Sequence, residues 1–532
     1  MSDRRISGAS ASARTETDIR LNYGDPSRVI AAANDFNTGA QAMFFSTDGG
    51  SNWGQSTLPL AAGDVGQSDP AVDWTSDGTA HALCIGFDAG QVNTRVRAYQ
   101  STDNGANWAL EATPSGAQNG ADREIIWVDH SPTSPFKDQV YATWHNGIPV
   151  FFARRTAGAG GVWQPAIQLS GAETTVMGIG GDIKTNSFGD LFVFWPDADG
   201  SRNLVVRKSI DGGANFAAAV IIANTFASTR RLSVPADSGR KARVYISAGA
   251  YRTATKDLVY AVWSDLTGAA GCNTGGGPGN NAASTCKTRV WFSRSTNGGA
   301  IWSAPVMLNN PASLNDQFHA KLCVDESNGN LIVTYRDTVN DPNRLQTDVF
   351  MQTSTDDGQT WSTPVLVTSA RTDETTAGAN PNQYGDYDGL SGFYGTFFPS
   401  WTDRRAGGAE EIWSALLSIV EKQCFFIVDK STFGQDEVNA MIAAGGPTFD
   451  AAFYVVVEGF SAGDLGITLA DLSGAPTHKP TLTSAPAVTG MTIGQPTALL
   501  AEDPSLPATP QRFTWVYPIT FANSNGFTQQ VL

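Results

Sequence analysis

Short apolar runs alternate with turns rich in Gly, Asp, Asn and Ser over most of the chain, and the pattern is that of short β-strands. Five of these runs, AMFF, RVRAY, LVVRK, RVWFS and DVFMQ, each lead into the same eight-residue pattern, Ser/Thr-x-Asp-x-Gly-x-x-Trp or a close variant. The octets are STDGGSNW from Ser46, STDNGANW from Ser101, SIDGGANF from Ser209, STNGGAIW from Ser295 and STDDGQTW from Ser354. A worn copy, TAGAGGVW from Thr156, keeps Trp163 but has Gly158 in the aspartate position. The chemistry explains the repetition. An Asp side chain accepts backbone N–H groups a few residues on, Gly supplies the freedom of a tight turn, and Trp packs on the sheet beneath. Each octet is therefore expected at a hairpin turn between two strands.

A second repeat lies upstream of each octet: a strand, a turn, another strand, then an aromatic residue close to Asp or Asn. It reads IKTNSFGDLFVFWPD ending at Asp197, KLCVDESNGNLIVTYRD ending at Asp337 and GLSGFYGTFFPSWTD ending at Asp403, with looser copies ending at Asp35 and Asp265. The two repeats together give four strands per unit of roughly 55–60 residues, the make-up of one propeller blade. Seven units are visible, the first near residues 18–60 and the last near 384–418, with an insertion of about thirty residues in the fifth. The last unit has no octet after EEIWSALL, so its fourth strand must come from elsewhere, and residues 5–17 are the natural lender. The expected organisation is an N-terminal segment over 1–17, an all-β seven-bladed propeller over 18–420, and a C-terminal β-rich domain over 421–532. That last region reads as strands broken by Pro and Gly, with a short helix over Asp436–Ala443, and predicts a small β-sandwich-like accessory domain.

Composition narrows the function classes. With 532 residues, 41% of them apolar, the chain can bury a large core, and charged residues are only 16%. The net charge of −16 argues against nucleic acid or an anionic membrane surface as the main partner. No run of eighteen apolar residues occurs, so no membrane insertion is expected, and no secretory signal is visible behind the arginines of MSDRRIS. The five cysteines form no CxxC pair. Cys272 and Cys286 flank a Gly/Asn-rich stretch, and the sequence leaves a disulfide and two free thiols equally open. Walker A, GxSxG and HExxH patterns are missing, which disfavours nucleotide, serine-hydrolase and zinc-protease chemistry.

The octets are Asp boxes, and over about residues 18–418 the chain resembles the sialidase and BNR-repeat propeller superfamily. The resemblance implies a β-propeller whose boxes stabilise turns away from the active face, and an extracellular or cell-surface setting. Superfamily sialidases usually have six blades, so a six-bladed ring is the alternative to seven. A superfamily sialidase also implies three arginines gripping a sugar carboxylate, an Asp acid/base, and a Tyr nucleophile paired with a Glu. At the starts of inner strands the candidates for these roles are Asp122, Arg123, Arg231, Arg344 and Tyr387, with Tyr384 beside it. The early Arg-Ile-Pro signature is missing, since RRIS at Arg4 and Arg5 stands too near the terminus. Strong sialidase turnover is therefore not expected.

Independently of the resemblance, Asp69, Asp122, Asp182 and Asp386 occupy similar positions in four units and suggest an acidic ring at one channel mouth. Such a ring suits ligand hydroxyls, a bound cation such as calcium, or the carboxylate pair of a glycoside hydrolase; it equally suits carboxylates that satisfy neighbouring backbone. No organic cofactor is implied. The leading expectation is a glycan- or protein-binding propeller; the alternatives are an exo-acting sialidase-like glycoside hydrolase and a structural component of an extracellular assembly.

Overall fold

The computed structural model describes residues 3–8, 12–268, 272, 283–309, 313–405, 407–419, 423–428, 449–460, 462–463, 465–479, 491–506 and 511–521. The chain divides into two compact units, Met1–Ser418 and Ile419–Leu532. Among the described residues there is no α-helix, and the helix expected over Asp436–Ala443 lies outside them.

In the first unit, six antiparallel sheets of four consecutive strands follow one another. Their first strands are Arg14–Leu21, Gly66–Trp74, Ala121–Val128, Asp182–Thr185, Ile246–Arg252 and Gln317–Val324. A seventh sheet begins with Gly389–Phe393. Each first strand touches the next, and that of the seventh sheet touches that of the first, so the inner strands form a closed ring around a central channel. This is a propeller arrangement. The seventh sheet is completed by Asp3–Arg5, which pairs antiparallel with Glu411–Ala415. The lending strand thus lies just upstream of most of residues 5–17, and Arg14–Leu21 serves instead as the inner strand of the first sheet. Two further contacts fasten the closure: Arg405 pairs with Asp3 at 2.6 Å, and Arg4 Nη1 donates to the carbonyl of Ser51 at 2.6 Å.

The octets stand between the third and fourth strands of their sheets and share one set of bonds. In the first, Ser46 Oγ donates to Asp48 Oδ1 at 2.8 Å and accepts from the Gly50 N–H at 2.9 Å. Asn52 N–H donates to Asp48, and Trp53 Nε1 to the Gly50 carbonyl. The Ser and Asp/Asn bonds recur around Asp103, Asp211, Asn297 and Asp356, each worth about 1 kcal/mol, and the indole bond recurs at Trp108 and Trp302. In the worn copy, Arg155 takes over and donates to the carbonyls of Thr156 and Gly158. The fifth octet position is always Gly for two reasons. It sits at positive φ, and a Cβ on Gly213 or Gly358 would lie 2.6 or 2.5 Å from Phe152 or Phe292 of the preceding sheet. Each octet therefore clamps its own turn and docks it on its neighbour.

The second repeat has an equally physical origin. Its aromatics, Trp144, Trp195, Trp263, Tyr335 and Trp401, lie on second strands and are buried between sheets. Its terminal aspartates tie down the connections between sheets: Asp265 accepts the N–H groups of Phe226 and Ala227, and Asp197 those of Thr175, Met177 and Ser201. Between the fourth and fifth sheets lies a two-stranded ribbon, Arg231–Leu232 with Ala242–Arg243. Cys272 and Cys286 are joined as a disulfide with Cα atoms 5.2 Å apart; most of the glycine-rich stretch between them lies outside the described residues.

The second unit is one antiparallel sheet built on Gln511–Phe521, which pairs with Phe449–Phe460, Met491–Ile493 and Ala498–Ala501; Gln423–Val428 extends it. Val455, Leu499, Phe513, Trp515 and Tyr517 make its core. Among the described residues a single sheet is present, where the expected sandwich needs two facing ones.

Candidate functional site

Four inner strands carry the same irregularity near their starts. Register shifts fall between Thr15 and Asp18, Ser68 and Ala71, Asp122 and Ile125, and Phe318 and Lys321. At each bulge one non-glycine residue takes the left-handed conformation: Glu16 (φ 58°), Asp69 (55°), Arg123 (52°) and His319 (54°). Such residues cost about 1–3 kcal/mol each, and a bulge re-aims the side chain it carries. All four side chains are buried at the end of the channel where the inner strands begin.

Around them the ribbon and the last inner strand complete an ionic cluster. The Arg123 guanidinium carbon lies 3.5 Å from the centroid of the Tyr387 ring and 5.6 Å from that of Tyr245. Tyr245 donates its hydroxyl to Asp386 at 3.1 Å. Arg240 bridges Asp386 (2.7 Å) and Glu16 (3.0 Å), and Arg243 stands 3.3 Å from Asp386. Glu16 further accepts from Asn34 Nδ2 and from the Asp386 N–H. Deeper in the same mouth, Arg336 grips both oxygens of Asp388 at 2.8 Å. The cavity enclosed among Arg123, Arg243, Tyr245, His319, Asp386 and Asp388 is about 10 Å³.

The carboxyl groups are pushed apart electrostatically. Burial, then the charges of Glu16, Asp122 and Glu124, raise the Asp69 carboxyl well above its ordinary range. Asp122 sits on the rim with its side chain 55% exposed and His145 Nε2 3.4 Å away. Partial desolvation works against its ionisation, but the hydrogen bond and charge of His145 prevail and hold it at about 2. Burial and the Asp386 charge raise Glu16, and burial drives Glu124 well upward; neither Glu124 oxygen has a hydrogen bond.

Of the residues singled out from sequence, Asp69, Asp122, Arg123, Asp386 and Tyr387 therefore meet at one mouth. Three do not join them. Asp182 lies inside the channel, where it takes Lys184 Nζ at 2.6 Å and the Ala248 N–H of the next sheet at 2.8 Å, so its carboxylate staples two sheets. Arg344 is buried against Asp316, to which its Nε donates at 2.8 Å. Arg231 is exposed on the ribbon, paired across it with Arg243. The three arginines that do converge are Arg123, Arg240 and Arg243. The last two belong to TRRLSVPADSGRKARVY, a dense basic stretch in an acidic chain, and that density was the available signal. Tyr384 packs under Arg336, with 4.3 Å between the guanidinium carbon and the ring centroid. Among the described residues no group of three or more His, Cys, Asp and Glu is arranged to hold a metal ion.

No family model matches the chain, and no curated protein matches it. Solved structures match it at low identity. An α-L-arabinofuranosidase from Fusarium graminearum is 13% identical, with 79% of this chain and 98% of that one covered at a TM-score of 0.40. The NanB sialidase from Streptococcus pneumoniae is 10% identical over 64% of this chain and 68% of its own, at 0.42. A protein of unknown function from Dyadobacter fermentans is 12% identical over 78% and 97%, also at 0.42.

Proposed function

We propose that the protein is a seven-bladed propeller, each ring sheet being one blade, that binds a glycan and does not turn over sialosides. The observation that carries this reading is the state of the arginines at the strand-start mouth. A sialoside carboxylate needs arginines with free forks. Here Arg240 and Arg243 are engaged by Asp386 and Glu16, Arg123 lies flat on Tyr387, Arg344 is held by Asp316, and the cavity among Arg123, Arg243 and Tyr245 is about 10 Å³. That space holds one water molecule and no sugar ring. A glycan is favoured over a protein ligand by the resemblance of the octets to those of sialidase and BNR-repeat proteins.

One observation favours a second reading, hydrolysis of another glycoside. An Asp69 carboxyl raised well above its ordinary range beside an Asp122 held at about 2 is the kind of split that acid/base cleavage requires. The test is one preparation of the protein applied to a glycan array and to fluorogenic sialoside and arabinofuranoside reporters. Array binding with no reporter cleavage is expected. Cleavage abolished by Asp122→Asn would replace the binding reading with the hydrolytic one.

A further inference from the structure

The other end of the channel, where the inner strands finish and turn into the second strands, is open. A cavity of about 410 Å³ lies there, within the range of small-molecule sites. It shares Tyr23, Ala250 and Glu326 with the narrow channel behind it, so the channel is entered from this side and ends blind at Arg123 and Tyr387.

We propose that this funnel is a saccharide site for a neutral sugar of one or two rings, stacked on the wall formed by Tyr394, Phe393 and Tyr23, with one hydroxyl bridging His130 and Glu326. The proposal rests on the glycan-binding reading above and assigns that binding a place and a ligand class.

Three independent features point to a ligand. The first is the wall. Tyr23 and Phe393 stack with centroids 4.7 Å apart and planes 3° apart, Phe393 meets Tyr394 at 4.2 Å, and Tyr23 meets His130 at 4.2 Å. Its outer member, Tyr394, is 70% exposed, an apolar face that the fold leaves uncovered.

The second is strain. Tyr394 is held at φ 49°, a conformation that suits glycine, and Asp325 of the neighbouring sheet pins the turn by accepting the N–H groups of Tyr394 and Gly395. A bulky exposed ring kept in a costly conformation by a dedicated carboxylate is the mark of a functional position.

The third is a buried donor without an acceptor. The His130 side chain is 4% exposed; its Nε2 is bonded to Asp73 at 2.8 Å, whereas Nδ1 has no hydrogen bond and faces Glu326 at 3.8 Å. Burial opposes a charge on this ring, but Asp73 and Glu326 outweigh it and bring His130 to about 9, so Nδ1 carries a proton at neutral pH. A donor and a carboxylate acceptor at that separation match a single hydroxyl, which accepts from one and donates to the other. With a net charge of −16 on the chain, an uncharged sugar is the better match than a phosphorylated one.

The experiment is titration calorimetry of the full-length protein with lactose, cellobiose, arabinobiose and methyl β-galactoside as probes, with adenosine as a non-sugar aromatic control. Binding of at least one sugar with a Kd of about 1 mM or tighter is expected. Tyr394→Ala, at an exposed site, should weaken it at least fivefold, as should Glu326→Gln, while Val92→Ser, at an exposed position outside the funnel, leaves it unchanged. Sugar binding indifferent to Tyr394→Ala and Glu326→Gln would overturn this site yet leave the glycan-binding reading standing. Binding of adenosine alone, lost in Tyr394→Ala, would overturn the ligand class. Binding of no sugar, on this panel and on the array, would overturn both.

Discussion

The two mouths of one channel are built from the two ends of the same seven strands, yet one is filled and the other is open. At the strand starts, four bulges swing Glu16, Asp69, Arg123 and His319 into the ring, the ribbon adds Arg240 and Arg243, and the cavity among Arg123, Arg243 and Tyr245 is about 10 Å³. At the strand ends, aromatic side chains line the wall without crossing the opening, and about 410 Å³ remains. Ring geometry alone does not decide where a propeller binds; the local backbone that aims side chains into or along the channel does. The filled mouth trades space for stability, and the open mouth holds strained and partly unpaired groups in reserve.

Three measurements would break or sharpen this contrast. The largest effect should come from Arg123→Ala, which leaves buried Glu124 and Tyr387 without their cation. A loss of about 3–5 kcal/mol in urea unfolding is expected, and a loss below about 1 kcal/mol would mean that the cluster is a site held in readiness and not a plug. Next is the pH dependence set by His130. Its pKa rises from 6.5 to about 9 in the folded protein, so its contribution is fully present below pH 6.5 and is lost as the pH climbs to about 9. A fall of ~3 kcal/mol across that window is expected, and His130→Gln should flatten it. An unaltered slope in the variant would place the titration elsewhere. The smallest effect, and the most discriminating in sign, is that of Tyr394→Gly. Release of the left-handed strain should raise stability by about 1 kcal/mol while sugar binding is lost. A lower melting temperature would show that the ring is there for packing.

The sequence made the ring legible because its determinants are local. An octet encloses its own hydrogen bonds, from Ser46 to Trp53, so the turn is written in eight consecutive letters. The strand-start cluster was legible in half, because Asp69, Asp122 and Asp386 stand at similar places in three units, with Arg123 and Tyr387 next to two of them. Arg240 and Arg243 were missed because they lie on a ribbon outside the repeat. Asp182 was misplaced because a four-residue strand without a bulge puts its carboxylate one layer deeper. The open mouth left no motif at all. Tyr23, His130, Glu326 and Tyr394 come from four separate sheets, and only closure of the ring brings them together.

That closure also dictates an order of events during synthesis. Asp3 pairs with Ala415 and Ile6 with the carbonyl of Ile412, so the strand Asp3–Arg5 waits for nearly the last part of the ring to leave the ribosome. Until then the seventh sheet has a bare edge, and the inner strand of the first sheet has no neighbour on one side. Six sheets can form in sequence from contacts within each repeat, but the ring locks only through its most distant pairing, a slow step on topological grounds. A nascent or nicked chain stalled before that step would offer its open edge to a second copy, which makes Asp3–Arg5 a safeguard against aggregation as much as a strand.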